Sequence, residues 1–470
     1  MVYSRHHILS FLERTDFMKS EFLKNVYFIG IGGISMSSLA LILKNNGCEV
    51  GGYDFKKSEN TEILEKNGIK VNYSYDKSNQ DGFDTVVYTA AIAPDDPEFL
   101  LAKERNAKLY TRAELLGDII SEYPHSIGVA GTHGKSTTTG MLANIMLCAE
   151  NDATILAGAV IPAINSTYRA GNGDVAVFEA CEYKNSYHSM HPTIRLVLNC
   201  EFDHVDFFGN MENVIKSFRQ YIDTDSGRSE NIAVINADCK NSLLAADSVS
   251  AKVYTFSVKD KNADFYANNI IEKDGYESFD IYAFGKLYCK ATPGVPGMHN
   301  VSNSVAAASC AYLCGVDADA VSKGLASFGG VKRRFEKVGL TETGALIIDD
   351  YAHHPDEVEA TLKAAKQICK GKVYCIFQPH TYSRFSALIK DFAKTLSLCD
   401  VPVMAEIYAA REQNTHGVSS CDIKEFLPNA VCPGDFEEIA KYIKENARQG
   451  DMVIKMGAGD VYKIASILNS

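Results

Sequence analysis

The run Gly131-Thr132-His133-Gly134-Lys135-Ser136 stands between an apolar stretch, residues 126–130, and a helical pattern over 137–148. Glycines at a strand-to-helix turn let backbone amides face an anion, a lysine there reaches the β and γ phosphates of a nucleotide, and the next hydroxyl holds Mg2+. Val129 occupies the first glycine position of the general G-x-x-x-x-G-K-[ST] loop, so the reading rests on the Gly-Lys-Ser-Thr core and its strand–helix context. An ordinary helix cap is the plainer alternative. Acids gather nearby in sequence: Glu179 and Glu182 in one segment, then Asp203-His204-Val205-Asp206. Carboxylates with His204 as a nitrogen ligand would serve one or two Mg2+ ions beside a triphosphate. Without such a neighbour an acid-rich loop is usually a solvated surface.

Three further constellations carry polar chemistry. Gly30-Ile31-Gly32-Gly33, with Asp54 about twenty residues on, has the spacing that seats a diphosphate on a helix N-terminus and a ribose hydroxyl on an acid. Ser35 replaces the third glycine, so the pattern supports a nucleotide diphosphate without specifying NAD. Asp349-Asp350-Tyr351-Ala352-His353-His354-Pro355 and Gln378-Pro379-His380-Thr381-Tyr382-Ser383-Arg384 each follow an apolar run. Such groups at strand ends suit a small zwitterion, with Arg384 forking onto a carboxylate; capping or packing is the bland role for any one of these histidines.

The elements that must position these groups alternate. Strands are expected at 25–30, 49–53 and 85–89, with a helix at 35–46; then strands at 126–130, 175–179, 196–199 and 233–236, a β-rich stretch from 252 to 291, and an alanine-rich helix over 301–313. Strands at 345–349, 373–377, 401–405 and 452–456 then alternate with helices at 357–368, 386–398 and 437–446. Alternating strands and crossover helices specify parallel sheets, giving an α/β chain. The 470 residues divide into an extension, 1–22, and three units: 23–117, 118–330 and 331–470.

Composition narrows the function classes. At 46% hydrophobic and 23% charged the chain is neither fibrous nor disordered, and no run reaches the roughly 18 apolar residues of a membrane span. A net charge of -12 and pI near 5.5 argue against a nucleic-acid partner. Thirteen scattered cysteines without metal-ligand spacing read as free thiols of a reducing, cytoplasmic compartment.

Taken in order, these motifs resemble those of the Mur ligases, over nearly everything from about Asn25 onward. The resemblance rests on Gly30-Ile31-Gly32-Gly33-Ile34-Ser35-Met36-Ser37, the Gly-Thr-His-Gly-Lys loop, Glu179-Ala180-Cys181-Glu182, Asp203-His204 and His299-Asn300 with Asn303. Arg333-Arg334-Phe335, Asp350-Tyr351-Ala352-His353-His354-Pro355 and Tyr408-Ala409-Ala410-Arg411-Glu412 complete it. It implies three domains: a Rossmann-like UDP-binding domain, a central P-loop-type ATPase domain and a C-terminal Rossmann-like domain for the incoming amino acid.

The implied activity is ATP-dependent ligation of L-alanine to the carboxylate of UDP-N-acetylmuramate through an acyl phosphate, with Mg2+ (Mn2+ able to substitute), in a monomer or weak homodimer. By the same resemblance, Gly131, Thr132, His133, Gly134, Lys135, Ser136, Thr137, Asn300, Asn303, Arg333, Arg334 and Asp350 bind ATP, and Ser136, Glu179 and His204 hold the metal. Lys135, Glu179, His204 and Arg334 are the implied catalytic residues. Gly30, Gly32, Gly33, Met36, Ser37, Asp54 and His133 contact the UDP-sugar; Tyr351, His353, His380 and Arg384 surround the alanine. Thr381 stands where many relatives have arginine, which shifts the alanine carboxylate toward Arg384, and Ala90-Ala91 replaces a serine pair near the UDP. A ligase adding a peptide or glutamate, and an inactive nucleotide-binding regulator, are the alternatives.

Overall fold

The computed structural model describes residues 23–89, 92–224, 231–410 and 412–468, without the side chains of Val205 and Asp206. The expected extension 1–22, Ala90-Ala91 and Arg411 lie outside the described residues.

Asn25–Ile29, an aromatic and β-branched run with four fully buried residues, is the middle of five parallel strands. Their spatial order is Lys70–Asn72, Glu49–Tyr53, Asn25–Ile29, Thr85–Tyr88, Lys108–Thr111. The chain winds outward on one side of the middle strand and then returns to the other, so the glycine turn after Ile29 sits at the topological switch point.

The second sheet has ten strands, in the order Lys286–Ala291, Tyr276–Ala283, Phe265–Lys273, Lys252–Ser257, Ile232–Asn236, Ile194–Val197, His125–Ala130, Val175–Glu179, Thr154–Ile161, Ser166–Arg169. Its middle is parallel, and the antiparallel pairs stand at the two ends. The third sheet runs Glu336–Leu340, Leu346–Asp350, Met452–Met456, Val373–Phe377, Val401–Met404, with only the first strand antiparallel.

The helix Arg112–Ser121 runs unbroken through residue 117, where the first unit was expected to end. Its Leu115, Leu116, Ile119 and Ile120 are buried in one apolar cluster with Tyr187 and Met190 of the second unit, so burial of that face holds the helix together across the expected boundary. The chain passes to the next strand at residues 122–124.

Candidate active site

The strand His125–Ala130, buried after its first residue, feeds a loop whose Gly131 and Gly134 have φ of +145° and +85°. Side-chain-bearing residues rarely adopt these values. A Cβ at Gly134 would also lie 2.8 Å from Asn303 Oδ1. The helix Lys135–Cys148 opens with no side-chain cap on its amides. Asn199 braces the loop from the neighbouring strand's end, accepting from His133 N at 2.8 Å and donating to His133 O at 3.1 Å. Lys135 Nζ donates to the Gly131 and Thr132 carbonyls and to both oxygens of Glu182, at 3.0 and 3.2 Å. Burial opposes the lysine's charge, but Glu182 outweighs it and the ammonium titrates above its usual range. This is a glycine cradle with a free helix N-terminus and a held cation, the shape and charge a nucleotide phosphate requires.

The flanking strands deliver the acids. Glu179 ends the strand Val175–Glu179 and accepts from Gly158 N at 2.5 Å. Glu182 is 3% exposed; burial raises its pKa, yet Lys135 and a hydrogen bond from His204 bring it below the ordinary value. His204 Nε2 lies 3.5 Å from Glu182 Oε1, and its ring sits 4.7 Å from that of Tyr183. Lys184, Asn185 and His204 all have φ near +50°, strain of the kind found at functional sites. The buried Ser136 hydroxyl, these carboxylates and one imidazole are a donor set that fits a hard divalent cation. His133, His354 and Asp356 bring ligand atoms within 4.8 Å of one another, but His133 is held protonated and offers no lone pair.

A cavity of about 270 Å³ opens between the phosphate loop and the third sheet, lined by Gly134, Thr137, Asn300, Asn303, Arg334 and Asp350 among others. It shares His299, Ala360 and Ala364 with a wider cleft of about 610 Å³. Asn300 Nδ2 donates to Pro296 O at 2.7 Å, and Asn303 Nδ2 to Asn300 Oδ1 at 3.1 Å, fixing both amides at the cavity wall. Asp350 accepts from Phe335 N and Ala352 N at 2.7 and 2.8 Å; burial pushes it up to about 6 against the pull of Arg334. The two neighbouring arginines part company. Arg334 lines the cavity, whereas Arg333, at φ +61°, turns its guanidinium between the rings of Tyr351 and Tyr462 and donates to Gly457 O and Gly459 O. Arg333, expected at the nucleotide, here directs its guanidinium to the third unit's own backbone.

Tyr351, His353, His380 and Arg384 lie near one another. Ring centroids of Tyr351 and His353 are 5.4 Å apart, those of His353 and His380 5.9 Å, and His380 stacks on Tyr408 at 5.8 Å. Arg384, in the first turn of the helix Tyr382–Leu396, reaches the central unit at 3.8 Å from Asp203 Oδ1. Burial lowers His353 to about 4, leaving it neutral. Its Nδ1 lies 3.1 Å from Tyr351 O and 3.3 Å from Glu357 Oε2, both acceptors, so the proton resides on Nδ1 and Nε2 is the acceptor.

In the first unit, Gly30 has φ +79°, and a Cβ at Gly32 would lie 2.9 Å from Asp54 Oδ2. Asp54 takes Gly32 N on one oxygen at 2.8 Å and Lys56 N on the other at 3.2 Å, bracing the glycine turn. Gly33 caps the helix Ile34–Asn45 without a side-chain bond. Met36 packs into the core, and Ser37 Oγ donates to Ile34 O at 2.9 Å. The His133 imidazole likewise faces Glu201 and Glu357 in the seam between the second and third units, each at 3.2 Å.

Sequence reasoning passed over Arg112 and Glu357. Arg112 Nη1 donates to Ser35 Oγ at 3.1 Å beside the glycine turn; no carboxylate pairs with it among the described residues, and burial lowers its pKa. The one signal for Glu357 was its place two residues after His354-Pro355, where a first-turn glutamate caps a helix.

Models of known families match all three units: "Mur ligase family, catalytic domain" over residues 25–124, "Mur ligase middle domain" over 129–311 and "Mur ligase, glutamate ligase domain" over 333–459. The chain is 43% identical over 450 residues to the UDP-N-acetylmuramate--L-alanine ligase of Agathobacter rectalis, covering 94% of this chain and 97% of that one. It is 39% identical over 458 residues to the enzyme of the same name from Clostridium acetobutylicum, covering 96% and 99%. The crystal structure of the UDP-N-acetylmuramate-alanine ligase of Thermotoga maritima superposes with a TM-score of 0.78 at 27% identity, over 94% of this chain and 98% of that one.

Proposed function

The chain belongs to the Mur ligase family, and from that premise we propose that it joins L-alanine to the carboxylate of UDP-N-acetylmuramate, converting ATP to ADP and phosphate, in peptidoglycan precursor synthesis. The observation that carries the site assignment is the convergence of the Lys135 loop, Arg334 and the Tyr351–His353–His380–Arg384 pocket around one seam between the second and third units.

A carboxylate is a poor electrophile, and phosphoryl transfer from ATP converts it to an acyl phosphate that an amine can attack. Charge dominates that barrier, so Lys135 and Arg334 act by holding the γ-phosphate oxygens as their charge redistributes. Ser136, Glu179 and His204 would hold Mg2+, which supplies Lewis-acid neutralisation of the phosphates. Asn300 and Asn303 offer amide groups to the adenine from the cavity wall. Arg384 forks onto the alanine carboxylate, and neutral His353 accepts a hydrogen bond from the alanine amine at Nε2, orienting the attacking lone pair. The glycine turn at Gly30 with Arg112 receives the anionic UDP-sugar. A cytoplasmic location and a monomer or weak homodimer fit this chemistry; among the described residues no helix is long and apolar enough to cross a membrane.

Phosphate release should require ATP, Mg2+, UDP-N-acetylmuramate and alanine together, and mass spectrometry should find a product heavier by one alanyl residue. Release that ignores the UDP-sugar, or is faster with a peptide than with alanine, would refute the assignment.

A further inference from the structure

Glu357 touches both sides of the seam. Its side chain is 13% exposed and comes from the first turn of the helix Pro355–Ile368. One oxygen, Oε1, lies 3.2 Å from His133 Nδ1 in the phosphate loop and 3.6 Å from Arg334 Nη1. The other, Oε2, accepts from His353 N at 3.0 Å and lies 3.3 Å from His353 Nδ1. A first-turn glutamate that only caps its helix would account for the bond to His353 N. It would not account for the other three partners, two on the cavity and one in the amino-acid pocket.

We propose that Glu357 is a positioning residue that couples the phosphate loop to the amino-acid pocket, a role that rests on the ligase reading above. Through Oε1 it fixes the loop histidine and holds Arg334 at the cavity. Through Oε2 it keeps the His353 proton on Nδ1, so that Nε2 faces the amine as an acceptor, the service an orienting carboxylate performs for histidine in hydrolase triads. A carboxylate this buried must keep its partners or lose heavily, so both halves of the site are set by one group. The nucleotide side and the amine side are therefore not independent: disturbing Glu357 damages both.

The test is steady-state kinetics of Glu357→Ala and Glu357→Gln, each substrate varied in turn, with calorimetric titration of UDP-N-acetylmuramate to report an intact first unit. Glu357→Ala should lower kcat about 100-fold and raise KM for both ATP and alanine, as expected when an orienting carboxylate is removed, while KM for the UDP-sugar stays within about twofold. Glu357→Gln, which keeps an acceptor for His353 without the charge, should recover part of the alanine KM. Because the two residues act as a unit, the His133→Asn/Glu357→Ala pair should be within about threefold of Glu357→Ala alone. Wild-type kcat and KM in Glu357→Ala and Glu357→Gln, or a double variant whose loss is the product of the single losses, would overturn the proposal. If the unaltered enzyme released no phosphate dependent on all three substrates, it is the ligase reading that would fail.

Discussion

Arg112 places a guanidinium at the first turn of the helix that follows the glycine loop, with Ser35 Oγ as its one hydrogen-bond partner among the described residues. A shielded cation with most of its donors unused favours an anionic ligand, and a charge-assisted bond to one contributes about 1.5–3 kcal/mol. Arg112→Ala should therefore raise KM for UDP-N-acetylmuramate about 10- to 100-fold and leave KM for ATP within about twofold, measured by phosphate release. Equal loss for both substrates would assign Arg112 to the fold. At this scale, legibility tracked how far local sequence dictates function. Lys135 and Ser136 were readable because a glycine loop ahead of a helix requires them at fixed spacing. Arg112 and Glu357 were not, because an arginine or glutamate in a first helical turn is ordinarily solvated, and their importance comes from partners up to 224 positions away. Arg333 and Arg334 could not be told apart in sequence; the positive φ at Arg333 turns adjacent side chains to opposite purposes.

The helix Ala318–Ser327 packs across Lys135–Cys148, the helix that the phosphate loop opens, with Gly324 against Ile145. A Cβ there would lie 2.5 Å from Ile145 Cα and 2.7 Å from Ile145 N, backbone atoms that cannot rotate aside. Glycine in a helix costs about 1 kcal/mol relative to alanine, so by propensity alone Gly324→Ala would stabilise. Overpacking costs about 1–3 kcal/mol and more against fixed backbone, so the clash wins. The expected outcome is a fall in thermal midpoint, read by calorimetry, with KM for ATP rising as the loop helix shifts; a raised midpoint would show that the helices separate freely. Strands at 25–29, 125–130, 175–179 and 373–377 were legible because burial on both faces demands continuous apolar runs. The edge strand Glu336–Leu340, half exposed and mixed in polarity, gave no such run.

At the scale of the molecule, motif order alone made three α/β units legible, but not the seam that turns them into one site. That seam carries a titratable latch. Burial by itself would lower His133, yet the Glu201 and Glu357 carboxylates, each 3.2 Å from a ring nitrogen, outweigh it and push the imidazole up to about 9. Around it stand Glu201 and Glu357 as carboxylates, Arg334 as a cation, neutral His353, and the His354–Asp356 pair at 3.5 Å. A histidine whose folded pKa exceeds its unfolded value of about 6.5 stabilises fully below 6.5 and loses that contribution as pH rises through 9. A shift of this size corresponds to about 2–3 kcal/mol across that window. His133→Asn removes the titrating group while keeping a polar side chain, so wild type should exceed the variant most near pH 6.5 and converge on it by about pH 9.5. Thermal midpoints of the two proteins across that range decide it. If their difference stays constant with pH, the histidine holds the seam by shape alone; if it collapses toward pH 9, the phosphate loop and the third unit are joined by charge, and the two halves of the site should loosen together in alkali.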